Sequence, residues 1–345
     1  MEYNFEEKSL SRQMSVKRIA ESRPKYISTG FDKLDKLLNG GLTPDLYVLG
    51  AVSSLGKSTF LLQIAENISA GGVPVLYFSL EMPIKYISVI SVSRQIFKQT
   101  DRSDSSPGIS DLLNSDRKLE NDEHVKTAVE ECKKRTKGLY IIERDDLMSE
   151  DGSAAFGADT ICEYTERFID KHEGKQSPVV VVDYLQLLRS EDSAANYSER
   201  STVDRNITQL WNLAHRLDIP VVVISSVGRE NYEKAIGIGS FKESGGIEFS
   251  ADVVLGMQFP NAGEKGFNLT KAKAGDLREL DLVVLKNRYG ASSVKDSFRY
   301  YPAHGFFEEY NGSKDRDEPA ASNVTLPKND YNIDLVANDP MFKGE

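Results

Sequence analysis

Lys57 and Ser58 close the octapeptide Ala51-Val52-Ser53-Ser54-Leu55-Gly56-Lys57-Ser58, and residues of these types at this spacing point to phosphate chemistry. The spacing is that of a phosphate-binding P-loop, with alanine in the place of the first glycine. A loop between a strand and a helix turns successive backbone N–H groups toward one point and so forms an anion nest. The following helix adds the partial positive charge of its N-terminus. Gly56 lets the backbone approach a phosphate closely. Lys57 sets a cation against the β- and γ-phosphates, and the Ser58 hydroxyl is a ligand for Mg²⁺. The expected nucleotide-binding residues are Ser53, Ser54, Leu55, Gly56, Lys57, Ser58 and Thr59, with ATP and Mg²⁺ as the bound species.

Two carboxylates complete this chemistry. Asp183 follows the run Val179-Val180-Val181-Val182. A charge directly after a buried apolar run is costly unless it has a partner at the strand's end. Its expected role is to hold Mg²⁺ through water, alongside Ser58. The alternative is a helix N-cap. Hydrolysis also needs a group that orients or deprotonates the attacking water. Glu81 is expected there: it follows the strand Val73–Leu80, which is expected to lie beside the phosphate-loop strand. The alternative is that Glu81 only favours the start of the helix near Pro83.

The elements that must position these groups alternate along the chain. Strands are expected at Leu46–Leu49, Val73–Leu80, Leu139–Ile142, Val179–Val182 and Pro220–Ser225. Helices are expected from Ser58 to about Ala70, from near Pro83, at Thr160–Lys171 and at Val203–Leu217. Gly71-Gly72 is expected to close the first of these. The alternation predicts an α/β fold with a largely parallel sheet and helices on both faces. Ala251–Met257 and Leu280–Leu285 read as later strands, the second in a hairpin or meander running to Phe307. An amphipathic segment covers Asp32–Leu38 and a short helix is expected around Ser11–Ser22. Thr100–Pro107 and Ser190–Arg200 read as surface loops. The expected division is an N-terminal segment, 1–25, a motor domain, 26–310, and a polar tail, 311–345, read as disordered with Met341-Phe342 as its last apolar cluster.

Composition narrows the class. With 39% hydrophobic and 28% charged residues, the chain reads as globular. No apolar run approaches the roughly 18 residues of a membrane helix, and the charged N-terminus shows no secretory signal, so a cytoplasmic location is expected. Cys132 and Cys162 lack a CxxC partner, which argues against a zinc site or a disulfide framework. His124, His172, His215 and His304 are scattered and are expected on surfaces or in helices. The net charge of −10 argues against broad contact with nucleic acid, though not against a ring that touches one strand through a few inward loops.

Taken in order, several motifs resemble the C-terminal motor domain of the DnaB-type replicative helicases, a RecA-like P-loop NTPase. They are Ile27–Asp35, Ser53–Ser58, Ser79-Leu80-Glu81-Met82-Pro83, Val182–Leu188, Lys242–Glu248 with Ala251–Val254, and Lys286-Asn287-Arg288. The resemblance runs from about residue 26 to 308. It implies a hexameric ring that hydrolyses ATP at subunit interfaces and draws single-stranded DNA through its centre, 5′ to 3′. It assigns Lys57 and Ser58 to phosphate and Mg²⁺, and Asp183 and Glu81 to the metal-organising and catalytic carboxylates. Lys286 and Arg288 would act in trans on a neighbour's γ-phosphate, where an arginine finger adds orders of magnitude in rate. Lys242, Glu243 and Gly245 would touch the DNA backbone without reading bases.

The chain also departs from the family's pattern. About 25 residues precede the motor, so a short form without the usual N-terminal helical domain is expected, and primase binding by the usual route is in doubt. Ser225-Ser226 stands where the family has a Ser-Gln pair whose glutamine senses the γ-phosphate, with Arg229 nearby. Val52-Ser53 replaces the family's Arg-Pro. Partners from replication or a mobile element would use the tail. A second reading, a RecA-like ATP switch or assembly factor without unwinding activity, remains beside the helicase motor. The acidic balance and Ser226 favour it, whereas the Lys242–Glu248 loop and the Lys286/Arg288 pair favour the motor.

Overall fold

The computed structural model describes residues 16, 25–103, 105–114, 116, 118–147, 156–174, 177–188, 199–242 and 244–310. The expected helix at Ser11–Ser22 and the polar tail fall outside the described residues, Val16 excepted, as does the loop 190–198.

In chain order the elements are α1 (Asp32–Leu37), β1 (Leu46–Ala51), α2 (Lys57–Ala70), β2 (Val75–Ser79), α3 (Ile84–Gln99), α4 (Ile109–Leu113), α5 (Glu123–Arg135), β3 (Leu139–Glu143), α6 (Ala158–Lys171), β4 (Val179–Asp183), α7 (Glu199–Leu217), β5 (Val221–Ser226), α8 (Ser244–Ser250), β6 (Val253–Gln258), α9 (Leu269–Lys273), β7 (Arg278–Asn287), β8 (Val294–Tyr301) and β9 (Phe306–Tyr310). The nine strands form one sheet in the order β3-β2-β4-β5-β1-β6-β7-β8-β9. From β3 to β6 every pairing is parallel, and β7 to β9 extend the sheet as an antiparallel meander.

The parallel strands are apolar because helices cover both of their faces. Alternate residues serve the two sides. Tyr47, Leu49, Val75, Tyr77, Val179, Val181, Val222 and Ile224 pack toward Phe60, Leu61, Ile64 and Ile68 of α2, together with Leu34 of α1. Leu46, Val48, Leu76, Phe78, Val180, Val182, Val221 and Val223 pack toward Ile161 and Phe168 of α6 and Val203, Ile207, Leu210 and Leu213 of α7. The four valines of β4 are buried, as expected for a strand covered on both sides.

One expectation about the sheet is corrected. The strand that leads to Glu81 is not a neighbour of the phosphate-loop strand: β2 pairs with β3 and β4, and both β4 and β5 stand between it and β1. The apolar runs of β4 and β5 need cover on both faces and take the centre of the sheet. His304 ends the short 3-10 helix Pro302–His304, where it is buried and its ring stacks on Phe97 at 4.1 Å.

The phosphate-loop helix α2 is held from behind by a buried ion pair. Arg94 of α3 reaches Glu66 of α2 at 2.6 Å and also donates to the carbonyl oxygens of Gly305 (2.7 Å) and Thr59 (3.4 Å). The neighbouring Gln63 exchanges two bonds with the backbone of Phe307, at 2.8 and 2.9 Å. The meander is thereby fastened to the helix that begins at Lys57.

Candidate active site

In an open parallel sheet, ligands bind beyond the carboxyl ends of strands, where the strand order reverses. Here β1 enters between β5 and β6, and the carboxyl ends of β1, β2, β4 and β5 all open on one cavity of about 690 Å³. Its lining includes Ser53, Ser54, Gly56, Lys57, Ser58 and Thr59 from the phosphate loop and α2. Glu81 follows β2, Asp183 ends β4 and Ser226 ends β5, and all three line the same space.

The loop has the backbone that an anion nest needs. Ser54 (φ 61°) and Gly56 (φ 96°) are left-handed, which turns neighbouring peptides in alternate directions. At Gly56 a side chain would also collide: an added Cβ would lie 2.9 Å from Tyr300 and Phe307. Leu55 belongs to the binding set through its backbone only, because its side chain is 0% exposed and packs in the core. Lys57 folds back and donates to the carbonyl oxygens of Ala51 (2.9 Å) and Val52 (3.3 Å). Burial lowers its pKa to about 8, and Lys273 adds to the fall, while Asp183 and Glu81 oppose it.

Asp183 is 1% exposed. Oδ2 accepts a hydrogen bond from the Tyr77 hydroxyl at 3.0 Å, whereas Oδ1 is buried and, among the described residues, receives none. Burial raises its pKa, and the nearby hydroxyls of Ser58 and Tyr77 oppose the rise. A buried carboxylate oxygen with no donor, next to a serine hydroxyl at a phosphate loop, is a donor set that fits a hard divalent cation. Ser58 and Asp183 are the residues that would hold Mg²⁺.

Glu81 reaches the cavity through the chain after β2. Leu80 N donates to Asp183 O at 2.9 Å, and Ser79 Oγ donates to Met82 O at 2.6 Å. This turn carries Glu81 toward the phosphate loop despite the two strands between β2 and β1. Asp183 is not a helix N-cap: it lies within β4, and Tyr184 holds the N-cap position of the short turn that follows. Glu81 stands two residues before Pro83, the N-cap of α3.

Ser226 lines the cavity but Arg229 is exposed in the turn Arg229–Asn231 and does not. Gln186 occupies the backbone beside Ser226: its Oε1 accepts from Ser226 N at 3.1 Å and its Nε2 donates to Ser225 Oγ at 2.9 Å. Lys242 lies outside the cavity lining but is tied to its wall, since its N–H donates to Ser226 O at 2.8 Å. Gly245 starts α8 against α7, where an added Cβ would meet Arg200 Nη2 at 2.8 Å. Glu243 falls outside the described residues.

Lys286 and Arg288 stand apart from this cavity. Lys286 is the last residue but one of β7 and Arg288 follows the strand; Lys286 and Asn287 pair with Val254 and Val253, at the opposite end of β6 from Met257, the partner of Ala51. Lys286 Nζ donates to the carbonyl oxygens of Glu248 and Ala251, each at 2.6 Å. Arg288 Nη1 lies 2.9 Å from Asp252 Oδ1, in a cluster where Asp45 and His215 also meet Asp252.

Sequence reasoning missed Tyr77, the buried hydroxyl that joins Asp183 to α2, because a tyrosine inside an apolar run reads as core. It also missed Tyr86, Tyr184, Tyr232, Arg278, Tyr300 and Pro302, which line the cavity from segments far apart in the chain.

The chain matches the family described as DnaB-like helicase C terminal domain over residues 26–304. It is 31% identical over 234 residues to the replicative DNA helicase DnaB of Pasteurella multocida, covering 66% of this chain and 45% of that protein. It is 27% identical over 280 residues to the protein of the same name from Leifsonia xyli, covering 79% and 54%. The chain thus spans about half the length of the curated relatives it matches. Among solved structures, the ATPase domain of G40P superposes with a TM-score of 0.69 at 19% identity, covering 90% of this chain and all of that one. A DnaB-like replicative helicase, solved in a study of its interactions with primase, gives 0.67 at 19% identity, over 90% and 67%. These two likenesses establish the fold, a RecA-like α/β domain.

If the cavity takes a nucleotide, the lowered pKa of Lys57 predicts that its affinity depends on pH. A triphosphate favours the charged ammonium, so binding is strongest where Lys57 is protonated and weakens as the pH rises through about 8. Calorimetric titration with Mg-ATP should show steady affinity up to about pH 7.5 and a fall approaching tenfold per pH unit above 8. Lys57→Arg should remove the fall. Affinity that stays level to pH 9.5 in the unaltered protein would show that burial does not lower the Lys57 pKa to this extent.

Proposed function

The chain belongs to the DnaB-like helicase C-terminal domain family, and on that premise we propose that it is an ATP-driven motor acting on single-stranded DNA as a ring of six copies. The observation that carries the ATPase reading is the meeting of Lys57, Ser58, Asp183 and Glu81 in one cavity at the strand ends, with Asp183 Oδ1 buried and lacking a donor. The loop amides and Lys57 bind and orient the β- and γ-phosphates. Ser58 and Asp183 hold Mg²⁺, which when bound neutralises charge on the phosphate oxygens. Glu81 holds the attacking water in line and takes its proton at the carboxylate.

Lys286 and Arg288 support catalysis across a subunit boundary. They lie at the far end of the strands from their own cavity, so the γ-phosphate they serve belongs to a neighbouring copy. Lys242, Glu243 and Gly245 belong to the strand-contacting loop, and the bond from Lys242 to Ser226 links that loop to the wall of the cavity. We assign the motor to residues 26–310, with a preceding segment, 1–25, and a tail, 311–345, that recruits replication or mobile-element partners. No helix among the described residues is long and apolar enough to cross a membrane, and we place the protein in the cytoplasm.

A second reading, an ATP switch that assembles without unwinding, draws support from Ser226. Its side chain is short and its N–H is already held by Gln186, so the cavity wall lacks the reach of a glutamine at that point.

Three measurements test these assignments. Glu81→Gln should keep Mg-ATP affinity within about twofold and lower turnover by about 10²–10⁴-fold. Normal turnover would mean that another group activates the water. Arg288→Ala and Lys57→Ala should each be inactive alone and regain partial turnover when mixed, because one mixed interface has both groups intact. An absence of recovery at every ratio would exclude action in trans. Single-stranded DNA should raise the ATPase rate of the unaltered protein at low salt and lose its effect as salt rises. A rate indifferent to DNA across that range would favour the switch.

A further inference from the structure

The phosphate loop carries a conformational cost that its own residues do not offset. Ser54 is a non-glycine residue at φ 61°, a left-handed region that disfavours side chains. The loop also has to keep the N–H groups of Ser54 and Leu55 turned toward the cavity. The carbonyl oxygen of each preceding residue belongs to the same planar peptide and points the opposite way. Fixing the oxygens of Ser53 and Ser54 therefore fixes the direction of those two N–H groups.

Both oxygens are held by cations from a segment more than two hundred residues away. Lys273 Nζ, at the end of α9, donates to Ser53 O at 2.5 Å. Arg278 Nη1, at the start of β7, donates to Ser54 O at 3.0 Å. Hydrogen bonds with a charged donor are roughly twice as strong as neutral ones. Arg278 also lines the nucleotide cavity, its guanidinium lies 5.8 Å from the centre of the Tyr300 ring, and its Nε is buried with no acceptor among the described residues.

We propose that Lys273 and Arg278 are positioning residues that latch the phosphate loop in its anion-binding form, with Arg278 Nε the donor left for an oxygen of the nucleotide's phosphates. The proposal rests on the ATP-binding reading of the cavity. It gives a role to two residues that lie outside the Ala51–Ser58 motif.

The test uses the full chain and its Lys273→Ala, Arg278→Ala and Arg278→Lys variants. Each is titrated with Mg-ATP by calorimetry from pH 7 to 9.5, and amide hydrogen exchange is followed without nucleotide. Lys273→Ala and Arg278→Ala should each weaken Mg-ATP binding at least about tenfold and speed exchange at Ser54 and Leu55 by a similar factor. Exchange in β8 and β9 should not change. Loss of protection confined to the phosphate loop is a result that simple loosening of the fold does not produce. Arg278→Lys should restore most of the loop protection. Wild-type affinity together with wild-type loop exchange in both alanine variants overturns the proposal. So does faster exchange spread evenly over the sheet, which would make the two residues part of general stability. If the unaltered protein fails to bind Mg-ATP, the ATPase reading falls, while the exchange data still decide whether the latch exists.

Discussion

An ammonium group withdrawn from water must be compensated, and the active end of this molecule is organised around the compensation of Lys57. The ammonium donates to the carbonyl oxygens of Ala51 and Val52 and feels the carboxylates of Asp183 and Glu81. Those partners offset burial only in part, and burial still lowers the Lys57 pKa to about 8. On the proposed function, a polyphosphate would supply the missing countercharge. The same shortage appears with opposite sign at Asp183, whose buried Oδ1 has no donor among the described residues. The cavity thus holds one under-compensated cation and one under-compensated anion, and the metal-bound triphosphate of the proposed function would satisfy both.

The sheet makes that arrangement possible. Only parallel strands deliver several carboxyl ends to one edge, and parallel strands require helices on both faces. The valines of β4 and β5 meet this requirement and carry Asp183 and Ser226 to the edge where β1 releases the phosphate loop. The antiparallel meander adds a second service. It seats Phe307 and Tyr300 against Gly56 and supplies the Gln63 contacts that steady α2. The aromatic cluster of Phe31, Phe60, Phe298 and Phe307 joins the chain's early helix, the phosphate-loop helix and the meander in one packed unit.

Much of this was legible in the residues. The octapeptide ending in Lys57-Ser58 identified its own loop and helix, because glycine, lysine and serine at fixed spacing serve a local geometry. The valine run before Asp183 marked a strand buried on both faces. Strand order was less accessible: Glu81 was placed in the right cavity through a wrong adjacency, because apolar runs of similar length do not say which of them lies at the centre. Tyr77, Lys273 and Arg278 left no trace that composition or periodicity could separate from an ordinary core tyrosine and ordinary surface cations. Their importance arises from tertiary contacts over long sequence separations, to Asp183, Ser53 and Ser54.

The short antiparallel bridge between Val227 and Phe241 has a mechanical consequence. Phe241 packs so closely over β1 that a side chain at Gly50 would meet its ring at 2.2 Å, and the next residue, Lys242, is bonded to Ser226. The bridge leaves almost no slack between the end of β5 and the loop that follows. The tip of β5 and the root of that loop are therefore one mechanical piece: neither can shift alone without breaking the bridge or the bond from Lys242 to Ser226.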